Sequence, residues 1–467
     1  MSLNLSFAWN CIICSLLILP LFPAFAGLGL IIALFIIFKH NYPQIIANKF
    51  NWGLGILALW LIVTSGFAFR PGDAFLGMAN FLPFMALLAS FPTLIQKPSQ
   101  LRQIASSIAY PSLIVVVLGI GQLFFGWEIP ELFFGVTKLA ANGNPEGRMS
   151  SVLSYANILA LYLAIAFILA MGLWIDAYRK LKRLEKQEDR EIARCGEGKN
   201  TSWKRKEKQK KRQEKRKSIL WFLTVVIIAD SIGLILTSSR NAWAIAFFAF
   251  MAFAIYLGWR WLVLAVSLGI TNVLIASFGP SPIKELSRKI VPEYIWARLS
   301  DEMYPDRPIA TLRSTQWQFC LNLTQQDPLT GWGLRSFTPL YEQKMGLWMG
   351  HPHNLYLMLT AEVGILGILL FFGLIGWIFW RAITLLKTWS QAGARKERNR
   401  LILFTYLVAF SCCIFFNLFD VSIFDWRVNV LGWILLAGIL GVCNSYYNFS
   451  PVNKIESELR GEAIELK

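Results

Sequence analysis

His353 is the residue best suited by type and position to handle a proton. It closes the segment Gly350-His351-Pro352-His353-Asn354, just where a long apolar run begins. A neutral imidazole at that water-facing depth can act as general base or orient a nucleophile; a capping or snorkelling histidine is the bland alternative. His351 is expected to lie in the loop and point elsewhere. Glu362 follows nine residues after His353. At about 100° and about 1.5 Å per helical residue it faces the opposite side, about 13 Å deeper, where a carboxylate must meet protein or a cavity. Its expected task is structural, bonding another helix, with Ala361, Gly364 and Gly367 allowing close helix contact.

Two arginines suit phosphate oxygens. Arg240 follows Ser239 in Thr237-Ser238-Ser239-Arg240-Asn241, a short turn between apolar runs. A guanidinium beside hydroxyl donors fits a phosphate; interface anchoring is the alternative. Arg313 precedes Trp317 by four residues. That spacing permits either a same-face cation–π contact or phosphate recognition. Arg148, Ser150, Ser151 and Asn157 mark the start of another apolar run. Asp420 and Asp425 flank the last turn, with Arg427 as candidate ion-pair partner. Asp230, mid-run, needs an internal partner. Aromatic residues, among them Trp317, Trp332, Phe337, Tyr341 and Trp348, punctuate residues 279–352. They read first as an interfacial belt, and a platform for sugar rings is compatible with that.

Other chemistries lack their signatures. There is no phosphate-binding P-loop, dinucleotide fingerprint or G-x-S-x-G elbow. Three histidines cannot form a histidine-rich metal centre, and no aspartate-rich motif flags a divalent cation. We therefore expect no metal and no cofactor. The seven cysteines give neither a disulfide framework nor a zinc pair: Cys11–Cys14 lies inside an apolar run.

The elements that must position these groups are membrane helices. Of 467 residues, 55% are hydrophobic, and mean hydropathy is +0.50. Apolar runs place about twelve spans near 7–22, 24–38, 52–69, 74–95, 104–126, 151–175, 218–236, 241–257, 260–278, 353–380, 401–418 and 428–447. Ala24-Phe25-Ala26 resembles a cleavage site, but no basic residue precedes the apolar stretch and a second run follows at once, so an uncleaved first helix is expected. The net charge of +17 is concentrated: residues 177–217 hold 18 of the 45 Lys and Arg against seven acidic residues. Such a loop between spans is a topology signal with a secondary affinity for anionic lipid head groups, not a nucleic-acid site. Its low-complexity run suggests a solvated helix or disorder.

Placing that loop in the cytoplasm sets the organisation. Residues 1–176 carry spans one to six, 177–217 the basic loop, and 218–278 spans seven to nine. Residues 279–352 form a large periplasmic loop, 353–447 carry spans ten to twelve, and 448–467 form a cytoplasmic tail. Both termini then face the cytoplasm, and the chemistry sits outside the inner membrane. Within the large loop a helix is expected near 309–326, stopped by Asp327-Pro328-Leu329-Thr330-Gly331-Trp332-Gly333. No internal repeat argues for an inverted-repeat transporter.

His353-Asn354-Leu355-Tyr356-Leu357 through Glu362-Val363-Gly364-Ile365-Leu366-Gly367 resembles the H-N-x-x-L…E-x-G-x-x-G signature of the O-antigen ligase and O-antigen polymerase superfamily. Ser239-Arg240, Arg313…Trp317, the 328–333 turn, Arg148-Met149-Ser150-Ser151 and Tyr155-Ala156-Asn157 occur in the expected order. The basic insertion at 177–217 lies outside that pattern. The resemblance implies an all-α, C-type glycosyltransferase fold. It also implies an inverting, metal-independent enzyme that moves a glycan from a polyprenyl diphosphate to an acceptor hydroxyl at the periplasmic face. The implied partners are the lipid-linked oligosaccharide donor, a glycolipid or growing-glycan acceptor, and membrane lipids. The catalytic roles it implies fall on Arg240 and Arg313 at the diphosphate and on His353 at the acceptor or leaving group. Arg148, Ser239, Trp317, Trp332 and Asn354 would contact substrate. Polysaccharide polymerisation is the alternative within the superfamily, bicarbonate-type transport the alternative outside it, and a non-catalytic membrane subunit the third reading.

Overall fold

The computed structural model describes residues 3–130, 138–195, 203–300, 302, 308–389 and 394–448. The tip of the basic loop (196–202), Tyr304 and the tail beyond Asn448 lie outside the described residues. Within them the chain is helical, and pairing is limited to two isolated bridges, Ile129–Leu139 and Gly143–Arg148. The long helices are α1 (Leu3–Ile18), α2 (Pro23–Ala47), α3 (Lys49–Gly66), the broken pair α4 (Pro71–Gly77) and α5 (Leu82–Ser90), α6 (Pro98–Phe124), α7 (Ala156–Cys195), α8 (Trp203–Leu236), α9 (Arg240–Leu257) and α10 (Arg260–Phe278). Four short helices follow: α11 (Ile283–Ile290), α12 (Glu293–Leu299), α13 (Arg313–Gln326) and α14 (Phe337–Met345). The bundle closes with α15 (Leu355–Trp389), α16 (Ala394–Phe416) and α17 (Trp426–Asn448).

Each expected span has a helical counterpart, and among the described residues 10 helices are long and apolar enough to cross a membrane. Leu3–Ile18 is apolar but shorter. The protein is an all-α, multi-pass membrane protein. The run expected as one helix over 74–95 is instead broken, with 3-10 turns at Met78–Asn80 and Phe91–Thr93; each of Pro71, Pro83 and Pro92 opens a short helical piece.

Burial sorts the bundle. The apolar windows of Ala156–Gln187 and Trp426–Tyr447 are each 83% buried, whereas that of Arg260–Phe278 is 11% buried. Thus α7 and α17 form the centre, and α10 turns nearly all its surface outward. At the basic end, Asp176 of α7 accepts a two-pronged bond from Arg398 of α16 (2.7 and 2.6 Å) and pairs with Arg102 of α6 at 3.4 Å. A buried carboxylate needs that compensation, and the clasp ties three helices. Beyond it α7 and α8 continue as helices. At 40 and 34 residues and about 1.5 Å per residue, both exceed the roughly 30 Å of hydrocarbon.

The large loop is folded onto the bundle through a break in α15. Gly364 takes φ +73°, and no turn of helix continues through it. The freed carbonyls of Ala361 and Glu362 accept from the backbone N–H groups of Trp332 (2.9 Å) and Gly333 (2.7 Å). That of Val363 accepts from Trp60 Nε1 of α3 at 2.9 Å, and Ile365 N–H donates to Pro328 O at 2.9 Å. Backbone at membrane depth must be satisfied within the protein, and residues 328–333 do this. A side chain on Gly364 would collide with the Leu329 carbonyl, and one on Gly331 with the Glu362 backbone. The expected role of Gly364 as a packing residue is therefore only part of its work: it supplies the left-handed backbone at which the helix parts.

Candidate functional site

The site lies at the end of the bundle that carries the 279–352 loop. His353 is outside α15, which starts at Leu355, and it adopts φ +52°. The helical spacing to Glu362 therefore does not apply. Asn354 caps α15 by accepting from Leu357 N–H at 3.0 Å, and Leu355 N–H donates to Asn417 O at 2.9 Å. Trp317 of α13 props the same loop, its indole N–H donating to Pro352 O at 3.0 Å.

The loop brings both histidines to one carboxylate, contrary to the expectation that His351 points away. His353 Nδ1 lies 3.4 Å from Asp420 Oδ1, and His351 Nε2 lies 3.8 Å from the same oxygen. The two imidazoles meet edge to face with centroids 4.5 Å apart. The positive φ at His353 turns the ring back toward Asp420, which neither loop composition nor helical spacing announces. Asp420 was legible only as an acid at an outer turn; its partnership with His353 was not.

Hydrogen positions follow from the partners. Burial works against the ionised form of Asp420, but the hydrogen bond from His353, the two imidazoles and Val421 N–H together hold its pKa below the usual value. An ionised carboxylate only accepts, so the facing Nδ1 of His353 is the nitrogen that carries a proton, and in the neutral imidazole this tautomer puts the lone pair on Nε2. His351 Nδ1 accepts from His353 N–H at 3.2 Å, which puts its proton on Nε2. Burial lowers the His351 pKa to about 4; Asp420 opposes this, and the charges of His353 and Arg313 reinforce it. Arg313 thus acts electrostatically on His351.

Asp420 anchors a longer chain. Its Oδ2 accepts from Asn157 Nδ2 at 2.7 Å, and Asn157 Oδ1 accepts from Arg148 Nη2 at 2.6 Å. Arg148 Nε then donates to Thr237 O at 2.9 Å, in the turn that carries Ser239 and Arg240. Asn241 Nδ2 returns to Phe416 O at 2.9 Å. A second clasp runs beside it: Arg427 grips Asp425 (3.0 and 2.6 Å) and donates to Val152 O at 2.8 Å. The Arg427–Asp425 pair is the one expected from the sequence. Residues from α7, α9, α13, α15 and the 417–425 turn are therefore held in one connected network.

Two cavities open beside it. An apolar one of about 670 Å³ lies between α9 and α10, with Arg240 at its head and Trp243, Phe247, Phe248 and Val273 along it. A polar one of about 490 Å³ is bounded by α4, α14 and α15 and reaches His351 and Glu362. Arg313 and His353 border neither. Ser239 is buried at the start of α9, and its carbonyl accepts from Trp243 N–H at 3.0 Å. Trp332 donates its indole N–H to Leu323 O at 3.0 Å, inside the segment that fills the α15 break. Glu362 accepts from Phe337 N–H at 3.3 Å, so it bonds the start of α14 as well as facing the polar cavity. Gly367 lets Trp60 approach α15; a Cβ there would meet Trp60 Nε1 at 2.7 Å.

His351, His353 and Asp420 are also the group, among the described residues, whose donor atoms lie within 4.8 Å of one another in the manner of metal ligands.

Residues 223–372 match the sequence family described as O-Antigen ligase. That stretch runs from α8 through the large loop into α15, and it contains Arg240, Arg313, His353 and Glu362. Arg148, Asn157 and Asp420 lie outside it. No curated protein matches the chain.

Proposed function

We propose that the chain, whose residues 223–372 match the family described as O-Antigen ligase, is a membrane glycosyl-transfer enzyme of the ligase or polymerase type and that it ligates a glycan from a polyprenyl diphosphate onto an acceptor hydroxyl at the outer face of the membrane. The observation that carries this reading is the His353–Asp420 pair, hydrogen-bonded through Asn157 and Arg148 to the turn bearing Arg240.

The roles follow from charge. The acceptor oxygen attacks the anomeric carbon from the side opposite the diphosphate. The new C–O bond forms as the old one breaks, and the configuration inverts. The bonding pair leaves on the diphosphate, where Arg240 and Arg313 offset the charge that a metal would otherwise meet. The acceptor proton passes to His353 Nε2, and Asp420 stabilises the imidazolium that results. The apolar cavity below Arg240 suits the isoprenoid chain. Arg148 acts as a positioning residue, holding Asn157 and the 237–240 turn. The activated donor supplies the driving force, so no nucleotide or metal is required.

Orientation follows the basic residues: the extended ends of α7 and α8 belong in the cytoplasm, which puts the histidine end outside. The test is genetic. A deletion strain complemented with wild-type protein recovers long capped surface glycans on gels, and His353→Ala or Arg313→Ala, inserted at wild-type levels, does not. Single-repeat decoration in the deletion strain would assign polymerisation instead, and normal profiles in both variants would refute the enzyme reading.

A further inference from the structure

Glycosyl transfer needs a second substrate beside the lipid donor, and the polar cavity at His351 has the chemistry for one. Its floor is Glu362, and His351 forms part of its wall, with the Phe424 ring stacked on that imidazole at 6.1 Å. Its rim carries Arg335, Glu342 and Trp348, together with the Arg70–Asp73 pair at 3.9 Å. Trp348 is 67% exposed and offers an open indole face.

The charge balance decides what fits. Arg70 and Asp73 offset one another. Of the other ionisable groups, His351 is neutral near pH 7, and the exposed rim sets one guanidinium, Arg335, against one carboxylate, Glu342, above the buried carboxyl of Glu362. No net positive potential remains to hold a phosphate or a carboxylate, because Arg335 is offset by Glu342 at the same rim, and an anion would face the Glu342 carboxylate. A lipid tail is equally ill-suited, because buried polar groups would lose hydration without replacement. Sugar hydroxyls both donate and accept. Carboxyls, a guanidinium and a free aromatic face are their complement. A cavity of about 490 Å³ lies within the usual range for small-ligand sites, about 300–1,000 Å³.

We propose that this cavity is the acceptor subsite and that it takes an uncharged sugar residue at the end of the acceptor glycan, stacked on Trp348 and hydrogen-bonded to Glu342 and Arg335. The inference rests on the glycosyltransferase reading and names its second substrate. The two substrates then reach the histidine pair from different sides. The diphosphate comes through the arginines of the α9 turn and α13, and the neutral sugar comes past α14 to His351, which shares Asp420 with His353.

Direct binding tests this separately from catalysis. Full-length protein in lipid nanodiscs is applied to an array of neutral oligosaccharides and of matched glycans bearing phosphate or carboxylate groups. Retention on immobilised polyprenyl diphosphate is measured in parallel. Neutral glycans are expected to bind, and Trp348→Ala and Glu342→Gln each weaken that binding about tenfold, the loss of one stacking or hydrogen-bonding partner. Polyprenyl diphosphate retention stays unchanged in both. The two side chains are exposed, so neither substitution threatens the fold. Binding confined to anionic glycans, neutral binding untouched in both variants, or no glycan binding at all would overturn the proposal. Glycans held without any affinity for polyprenyl diphosphate would instead count against the donor half of the enzyme reading.

Discussion

Replacing Asp420 by Asn removes one charge while keeping the shape. In the wild type its two oxygens serve His353, Val421 N–H and Asn157. An amide presents one oxygen and one NH2 group, so it can accept from Asn157 or from His353, and the other is left facing a donor. A hydrogen bond to a charged partner contributes about 1.5–3 kcal/mol. The imidazolium forms only as the acceptor proton moves, so the loss falls on the transition state and kcat drops about ten- to 150-fold. The 3.4 Å separation of His353 and Asp420 favours the lower half of that range. The assay is initial-rate transfer by protein in nanodiscs, with donor and acceptor varied separately. Both KM values should stay near wild type, and Asp420→Asn should add little to His353→Ala, because the two act as one unit. A kcat within about twofold of wild type in Asp420→Asn protein of normal thermal stability would refute the coupling.

Further outcomes follow from the same geometry. Gly364→Ala forces φ +73° on a residue with a Cβ and drives it into the Leu329 carbonyl; a loss of about 3 kcal/mol or more is expected, seen as protease sensitivity of the 279–352 loop, and unaltered resistance would contradict the account of the helix break. Trp317→Phe deletes the bond to Pro352 O and should cost about 1 kcal/mol with about a fivefold lower kcat/KM; an unchanged value would remove the prop from the argument. His351 is neutral in the folded protein down to about pH 4, against about 6.5 when unfolded. Its contribution is complete above pH 6.5 and is lost as pH falls toward 4, because the unfolded chain protonates first; the total is about 3 kcal/mol. Denaturation midpoints should therefore fall more steeply in that window for wild type than for His351→Gln, and identical slopes would argue against a buried neutral His351.

The helices were legible because apolar runs of that length have few other solutions. Hydropathy placed helical structure at every expected span but missed the breaks inside 74–95, and the Arg427–Asp425 pair followed from proximity in the chain. The His353–Asp420 pair did not, because its members are 67 residues apart and meet through a left-handed turn that no periodicity encodes. His351 was misplaced for the same reason. Gly364 and the 328–333 turn each carried a local signal, glycines and a proline. Their union, a loop filling a parted helix, required the tertiary contact between α3, α15 and the loop. The polar cavity was invisible because Arg70, Arg335, Glu342 and Glu362 come from three separated stretches. The basic segment gave its charge and left helix and disorder both open; its described residues are helical.

The most direct test of the central claim is donor cleavage by purified protein in chelator-treated nanodiscs. Polyprenyl diphosphate-linked glycan and an acceptor glycan are supplied, and free polyprenyl diphosphate and the extended acceptor are counted together. One of each per turnover is expected without added metal, with both falling at least about a hundredfold in Arg313→Ala and His353→Ala. Turnover that appears only when a divalent cation is restored, or that persists in both variants, would contradict it.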